Sequence, residues 1–152
     1  MTFRIERVDA ADVEAWVALR AALWPSHSID EHRADGLALL ARGERDAVFV
    51  ATSGDGAVVG FAEAALRVDH VNGTSTSPVT FLEGVYVVPQ WRRRGVARAL
   101  CDAVERWGLE SGCTEFASDA LLENEDGIRL HEALGFRETE RVVYFLKAIQ
   151  GA

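Results

Sequence analysis

The sequence predicts an α/β domain with a mixed sheet, and two features carry that prediction. The β-rich runs Ala47 to Thr52 and Val58 to Val68 are joined by Ser53-Gly54-Asp55-Gly56, whose Asp-Gly pair is a strong hairpin signal. A near-continuous apolar strand, Thr80 to Val88, runs through Pro89 into a long helical pattern and then a short strand, Glu115 to Asp119. Hairpins make antiparallel neighbours and strand–helix–strand crossings make parallel ones, so one sheet is expected to hold both. A chain of 152 residues without a repeat or linker reads as one domain, 1–152.

The remaining elements follow in order. Phe3 to Val8 alternates like a strand. Asp9 or Asp12 can cap a helix carrying Val13, Trp16, Val17, Leu19 and Leu23, which breaks at Pro25. Ser28 or Asp30 can open a second helix, with Leu37, Leu39 and Leu40 as its apolar face before Gly43. Val71 to Pro78 is a polar loop. From Arg92 to about Ser111 a helix carries Val96, Leu100, Val104 and Trp107 on one face and stops near Gly112. Asn124 or Asp126 caps a further helix through Leu134, and Val142 to Leu146 closes the chain as a strand.

Composition excludes several classes. With 49% hydrophobic and 26% charged residues, the chain is neither a disordered tail nor a small disulfide scaffold. No apolar stretch approaches the ~20 residues that span a bilayer, so no membrane partner is expected. The N-terminus alternates like a strand rather than a signal peptide. Cys101 and Cys113 have no metal-like spacing, and two lone thiols suit a reducing, cytoplasmic compartment. A net charge of −8 argues against nucleic acid as a partner and fits a cationic one. The charges are also sorted along the chain. Arg92, Arg93, Arg94 and Arg98 crowd one segment, whereas Asp119 to Glu140 holds seven acids against Arg129 and Arg137.

The strongest local signal is Val85-Tyr86-Val87-Val88-Pro89-Gln90-Trp91-Arg92-Arg93-Arg94-Gly95-Val96-Ala97. A buried strand leads into a helix N-terminus, with small residues where a backbone must come close. The unpaired N–H groups of a first helical turn and the helix dipole attract a phosphate. The alternative is a solvated arginine cluster, but basic groups at a helix N-terminus oppose the dipole. Neither a GxxxxGK[ST] loop nor an opening GxGxxG is present, which sets aside the common nucleotide folds.

Arg92-x-x-Gly95-x-Ala97 resembles the [RQ]-x-x-G-x-[GA] acetyl-coenzyme A motif of the GNAT acetyltransferase superfamily. Asn124 with His131-Glu132-Ala133-Leu134-Gly135-Phe136 resembles that family's later helix. Most of the chain is similar to the aminoglycoside 6′-N-acetyltransferase branch, through LWPSH (Leu23 to His27), HRADG (His32 to Gly36), VNG (Val71 to Gly73), SPVTFLEGVYVVP (Ser77 to Pro89), RRGVA (Arg93 to Ala97), ASD (Ala117 to Asp119), Glu123-Asn124 and ALGFRETERV (Ala133 to Val142). The resemblance implies a mixed, twisted central sheet with helices on both faces and a splayed strand pair, opening after Val85. It implies acetyl-coenzyme A as co-substrate, held by the backbone of Val85, Tyr86 and Val87, by Arg93, Arg94, Gly95, Val96, Ala97 and Arg98, and by Asn124. No motif suggests a metal site.

Transfer of an acetyl group to an amine needs a neutral nitrogen, and a carboxylate can bind the ammonium and take its proton. Glu83 interrupts an apolar strand two residues before Val85, which puts both on one face at the strand period. Asp119 ends the next strand, where active-site groups collect, although Asp also caps turns. These two are the candidate catalytic acids. The resemblance implies that Trp24, His27, His70, Glu83, Asp119 and Glu140 match substrate-binding positions. At His70 the branch usually has Tyr. His131 stands where many members carry a Tyr that protonates the departing thiolate, a task open to histidine.

The expected reaction is acetylation of the 6′-amine of an aminoglycoside, a small polycation. Alternatives are another amine acceptor (a polyamine or a peptide N-terminus) or a non-catalytic acetyl-coenzyme A sensor. Val142 to Leu146 is apolar on both faces, and related acetyltransferases pair or exchange this strand, so a homodimer is expected.

Overall fold

A computed structural model describes residues 2–151, which divide into two compact units meeting at Asp119/Ala120. The first unit contains a five-stranded sheet in the order β1 (Phe3–Arg7), β2 (Asp46–Ser53), β3 (Val58–Arg67), β4 (Val79–Val87), β5 (Phe116–Ser118). The first four strands pair antiparallel, β1 and β2 being joined through two helical segments, and β5 lies parallel to β4 after one helical crossing.

Helices cover both faces. On one lie α1 (Val13–Leu23) and α2 (Ile29–Ala41), around a core of Trp16, Val48, Val50 and Phe61. On the other lies α3 (Val96–Glu110), whose buried Leu100, Val104 and Trp107 are spaced at helical period. Gly108 has no side chain because a Cβ there would meet Thr80 Oγ1 of β4. That contact also fixes Thr80 on the α3 face.

Three expectations are corrected here. Helix α3 begins at Val96 rather than Arg92, since Arg93 (φ 62°) and Gly95 (φ 82°) are left-handed and the intervening chain is a turn. The fully buried side of α2 is His32 and Gly36; of the expected apolar face Leu39 packs against the Trp16 core, whereas Leu37 and Leu40 are exposed. Gly36 lies against the Trp16 ring at 3.1 Å from its Cβ position, so the indole sits directly on the helix backbone there.

The second unit contains α4 (Glu125–Ala133), capped by Asn124 Oδ1 accepting from Gly127 N–H at 3.0 Å. The strand expected over Val142 to Leu146 is absent: the segment has no ladder partner among the described residues, and Phe145 and Leu146 are 92% and 99% exposed. A strand exists only as half of a pair, and the apolar pattern alone cannot supply the other half.

Candidate functional site

The opening in the sheet follows from one extra residue. In β3 and β4, Glu63 faces Gly84 and Ala64 faces Leu82, which leaves Glu83 without an opposite number. This is a β-bulge, and it shifts the phase of everything after it. Before the bulge, Thr80 and Leu82 point to α3 and Phe81 points to the α1/α2 face. After it, Tyr86 packs into the α1/α2 core. Val87 falls on the α3 face, where Gly60 opposite it would meet Leu100. Glu83 therefore shares the α1/α2 face with Phe81 and Gly84, while Val85 points to the other side. The expectation that Glu83 and Val85 share a face is overturned, because the period of two does not survive a bulge.

The same residue sets where the strands part. β4 and β5 pair only at Thr80–Phe116, Phe81–Ala117 and Leu82–Ser118. Beyond Leu82, β4 continues to Val87 without a neighbour on that side, so the opening starts before Val85. The Val88 N–H donates to Val59 O at 2.9 Å, which directs the main chain of Val88, and by alternation that of Tyr86, toward β3. The main-chain groups of Val85 and Val87 thus face the opening. One of them is already taken: Arg92 Nε donates to Val87 O at 2.8 Å.

The following loop ends at the N-terminus of α3, where Gly95 provides no side-chain cap. By contrast, Ser28 caps α2 with its hydroxyl. The amides of Val96 and Ala97, in the first turn of α3, have no carbonyl one turn earlier in the helix to accept them. A Cβ on Gly95 would meet nothing within 4 Å, so the backbone there lies open. Arg94 Nε donates to Gln90 O at 3.2 Å, and its guanidinium lies 5.6 Å from the Trp91 ring centre. Arg92 and Arg94 therefore help to build the loop, and Arg93 is exposed. Unsatisfied strand amides followed by an uncapped helix suit a ligand with acyl and amide groups at one end and phosphates at the other.

Around Glu83 the structure gathers side chains that sequence reasoning did not single out. Arg67 Nη2 donates to both Glu83 oxygens, at 2.8 and 3.0 Å, with its guanidinium 3.6 Å from the Phe81 ring centre. Glu83 is thus a surface carboxylate with a forked partner. Trp24 is half-buried at the C-cap of α1, and its ring lies 2.5 Å from where a Gly84 Cβ would be. Beneath it, buried Glu63 accepts from Trp16 Nε1 at 3.1 Å and from Arg20. Burial pushes the Glu63 carboxyl pKa up, against the opposing pull of Arg20. Arg20 and Arg67 carry no motif. The register of β3 against β4 brings Arg67 and Glu83 to one face: Arg67 stands opposite Val79, and Val79, Phe81 and Glu83 follow at the strand period.

Of the other predicted residues, His27 is exposed beside Trp24's loop, with Nδ1 2.9 Å from Glu31 Oε2. Asp119 is exposed and is the first residue after β5. His70 is exposed in a depression of about 300 Å³ with Arg45, Arg67 and Asp69. In the second unit, His131 Nδ1 lies 2.6 Å from Gly127 O, with its ring against Phe136. Glu138 takes Arg141 as its partner, and Glu140 is exposed. A larger cavity, about 670 Å³, lies among Arg7, Leu39, Leu66 and Trp107, and contains none of the predicted site residues. No group of three or more His, Cys, Asp or Glu among the described residues is arranged to hold a metal ion.

Known proteins share this arrangement. The chain is 50% identical to aminoglycoside N(6')-acetyltransferase type 1 of Serratia marcescens over 141 residues, 93% of this chain and 96% of that one. It is 48% identical to the protein of the same name from Salmonella enteritidis over 143 residues, 94% and 97% of the two chains. The solved structure of AAC(6')-Iy with the bisubstrate analogue CoA-S-monomethyl-acetylneamine superposes with a TM-score of 0.91 at 46% identity, covering 98% of this chain and 100% of that one. Residues 13–136, which include the bulge, the opening and the Arg92–Ala97 loop, match the Acetyltransferase (GNAT) family, and the chain belongs to that family.

Proposed function

We propose that this protein is an acetyl-coenzyme A-dependent N-acetyltransferase whose acceptor is the 6′-amine of an aminoglycoside, the activity of an antibiotic-resistance enzyme. One observation carries the reading: the open edge of β4 at Val85 and Val87 runs directly into the uncapped N-terminus of α3. Acetyl-coenzyme A supplies an activated acetyl thioester. The chain's own groups do the rest. The Val85 N–H is a fixed donor for negative charge on an acyl oxygen, the kind of group whose loss typically costs ~10²–10³ in rate. Main-chain N–H groups from Arg93 to Arg98 receive the pyrophosphate, and Asn124 completes the binding set.

On the α1/α2 face, Glu83 binds the cationic acceptor and takes its proton, directly or through water, with Asp119 as the second acid. Arg67 holds the Glu83 carboxylate in place until an ammonium competes for it. Trp24, His27, His70 and Glu140 complete the acceptor set, and His131 is the proposed proton donor to the thiolate. The protein acts in the cytoplasm, without nucleic acid or membrane. It works as a homodimer, because a segment as apolar and exposed as Val143 to Leu146 calls for a partner chain.

Thiol release from acetyl-coenzyme A, measured over a panel of aminoglycosides, polyamines and peptides, tests the function. Release with 6′-amino compounds and none with 6′-hydroxy analogues is the expected result. Release with polyamines or peptides alone would redirect the acceptor, and binding without release on any amine would indicate a sensor.

A further inference from the structure

Arg20 and Glu63 form an ion pair inside the α1/α2 face, 6% and 2% exposed. Such a pair is a poor route to stability, since apolar residues of similar volume usually serve as well or better. Arg20 Nε is moreover buried with no partner, a defect that a core built only for stability would avoid. The pair's contacts point to a different use.

The Arg20 guanidinium lies 5.0 Å from the Trp24 ring centre and 5.7 Å from that of Trp16. Trp24 follows the last turn of α1, and its N–H donates to Arg20 O at 2.8 Å. Its carbonyl lies 2.8 Å from His32 Nε2, and its ring stacks on His32 at 6.5 Å and 20°. The far edge of the indole fills the place of a Gly84 side chain, and Gly84 pairs across the sheet with Glu63. The contacts therefore close a circuit, from Glu63 to Arg20, to Trp24, to Gly84 and back to Glu63, beside the bulge that presents Glu83.

We infer that the Arg20–Glu63 pair is a positioning device that fixes the Trp24 indole against Gly84, next to the Glu83 bulge, and so shapes the acceptor site. This rests on the acceptor role proposed above for Trp24 and Glu83. The guanidinium is suited to the task because its flat face can lie on an indole while its edge pairs with a carboxylate. Removing one partner alone would strand a buried charge, so the informative change replaces both.

The test is the double variant Arg20→Met with Glu63→Leu, compared with the parent and with Arg20→Lys, which keeps the charge but loses the flat face. Two readouts are taken: the Trp24 indole resonance in ¹⁵N-tryptophan-labelled protein, assigned with Trp24→Phe, and kinetics with kanamycin. The double variant is expected to melt at or above the parent's temperature, while the Trp24 resonance shifts and broadens. Acceptor KM should rise about tenfold or more, with kcat changed less than about threefold and acetyl-coenzyme A affinity unchanged. Arg20→Lys should move the same two readouts in the same direction, and it decides the matter if the double variant fails to fold. An unmoved Trp24 resonance and unmoved acceptor KM in a folded variant would overturn the inference. A displaced Trp24 in a protein whose parent acetylates no aminoglycoside would uphold the positioning role and defeat the acceptor reading instead.

Discussion

Glu83 and Asp119 occupy matching places along two neighbouring parallel paths of the chain: each is the first residue beyond the Leu82–Ser118 pair, the last at which β4 and β5 meet. The two candidate acids thus stand at the point where the sheet opens. Glu83 comes with a charged partner in Arg67.

That placement gives the first prediction. Glu83→Gln keeps the volume but cannot hold an ammonium or accept its proton. It should lower kcat with a cationic acceptor by roughly 10²–10⁴, the range of general base catalysis, and leave acetyl-coenzyme A affinity intact. Asp119→Asn should act mainly on acceptor KM. Steady-state kinetics at neutral pH on both variants decides, and full activity in both would exclude an acidic acceptor site.

The second prediction concerns the loop before α3. Gly95→Val places a β-branched side chain at φ 82°, where only the backbone objects, since the space around it is open. Strain of this type costs about 1–3 kcal/mol, so either the turn shifts or stability falls. Calorimetric titration should find acetyl-coenzyme A binding weakened at least tenfold, or about 1.4 kcal/mol. Arg93→Ala with Arg94→Ala should weaken it less, because the phosphate contacts proposed above are made by main-chain N–H groups.

A third expectation is chemical. Burial pushes the Cys101 thiol up to about 12, with Asp102 adding to the rise, and Cys113 is buried as well. The thiolate is the nucleophilic form, so the folded protein should resist thiol reagents at pH 8 and react only on unfolding. Cys101→Ala should retain full turnover, as expected for direct attack by the amine. Loss of turnover with an intact fold would require a cysteine in the reaction.

The fourth is a pH dependence. Glu115, just before β5, accepts from the Thr76 hydroxyl and from the amides of Ser75 and Thr76, at 3.0 and 2.8 Å. These bonds, the Thr76 hydroxyl first, hold its carboxyl below its ordinary value of 4.5. A depressed carboxyl stabilises the fold well above pH 4.5 and loses that contribution as pH falls through the lowered value. Hydrogen exchange at Ser75 and Thr76 should therefore accelerate in acid beyond the intrinsic trend, and Glu115→Gln should show little of this pH dependence.

Much of this architecture was legible in the residues themselves. The Asp-Gly hairpin, the apolar run ending at Pro89 and the periodic face of α3 each depend on neighbours in sequence, which a reader of sequence can see. The bulge at Glu83 could not be read that way. Glu83-Gly84 looks like ordinary strand, and only the pairing of β4 with β3 reveals the surplus residue. With the bulge went the facing of Glu83 relative to Val85, and the partnership with Arg67 depended on the register of β3 against β4, which a single strand does not show. The same blindness hid Arg20 and Glu63: a charged residue in a helix or strand reads as solvated until tertiary packing buries it. The expected strand at Val142 to Leu146 failed for the complementary reason, since propensity was present and a partner was not.

The bond from Arg92 to the Val87 carbonyl has one more consequence. An open strand edge with matched donors and acceptors is a template for any passing strand, and proteins blunt such edges to avoid sticking to one another. With the Val87 carbonyl engaged, the free edge of β4 offers the N–H groups of Val85 and Val87 against the single carbonyl of Val85. A β-strand supplies donors and acceptors in equal number and would leave one of those amides unmatched, whereas a small molecule with an extra carbonyl would not. The first arginine of the basic cluster therefore keeps a permanently open sheet available to a ligand and unattractive to another polypeptide.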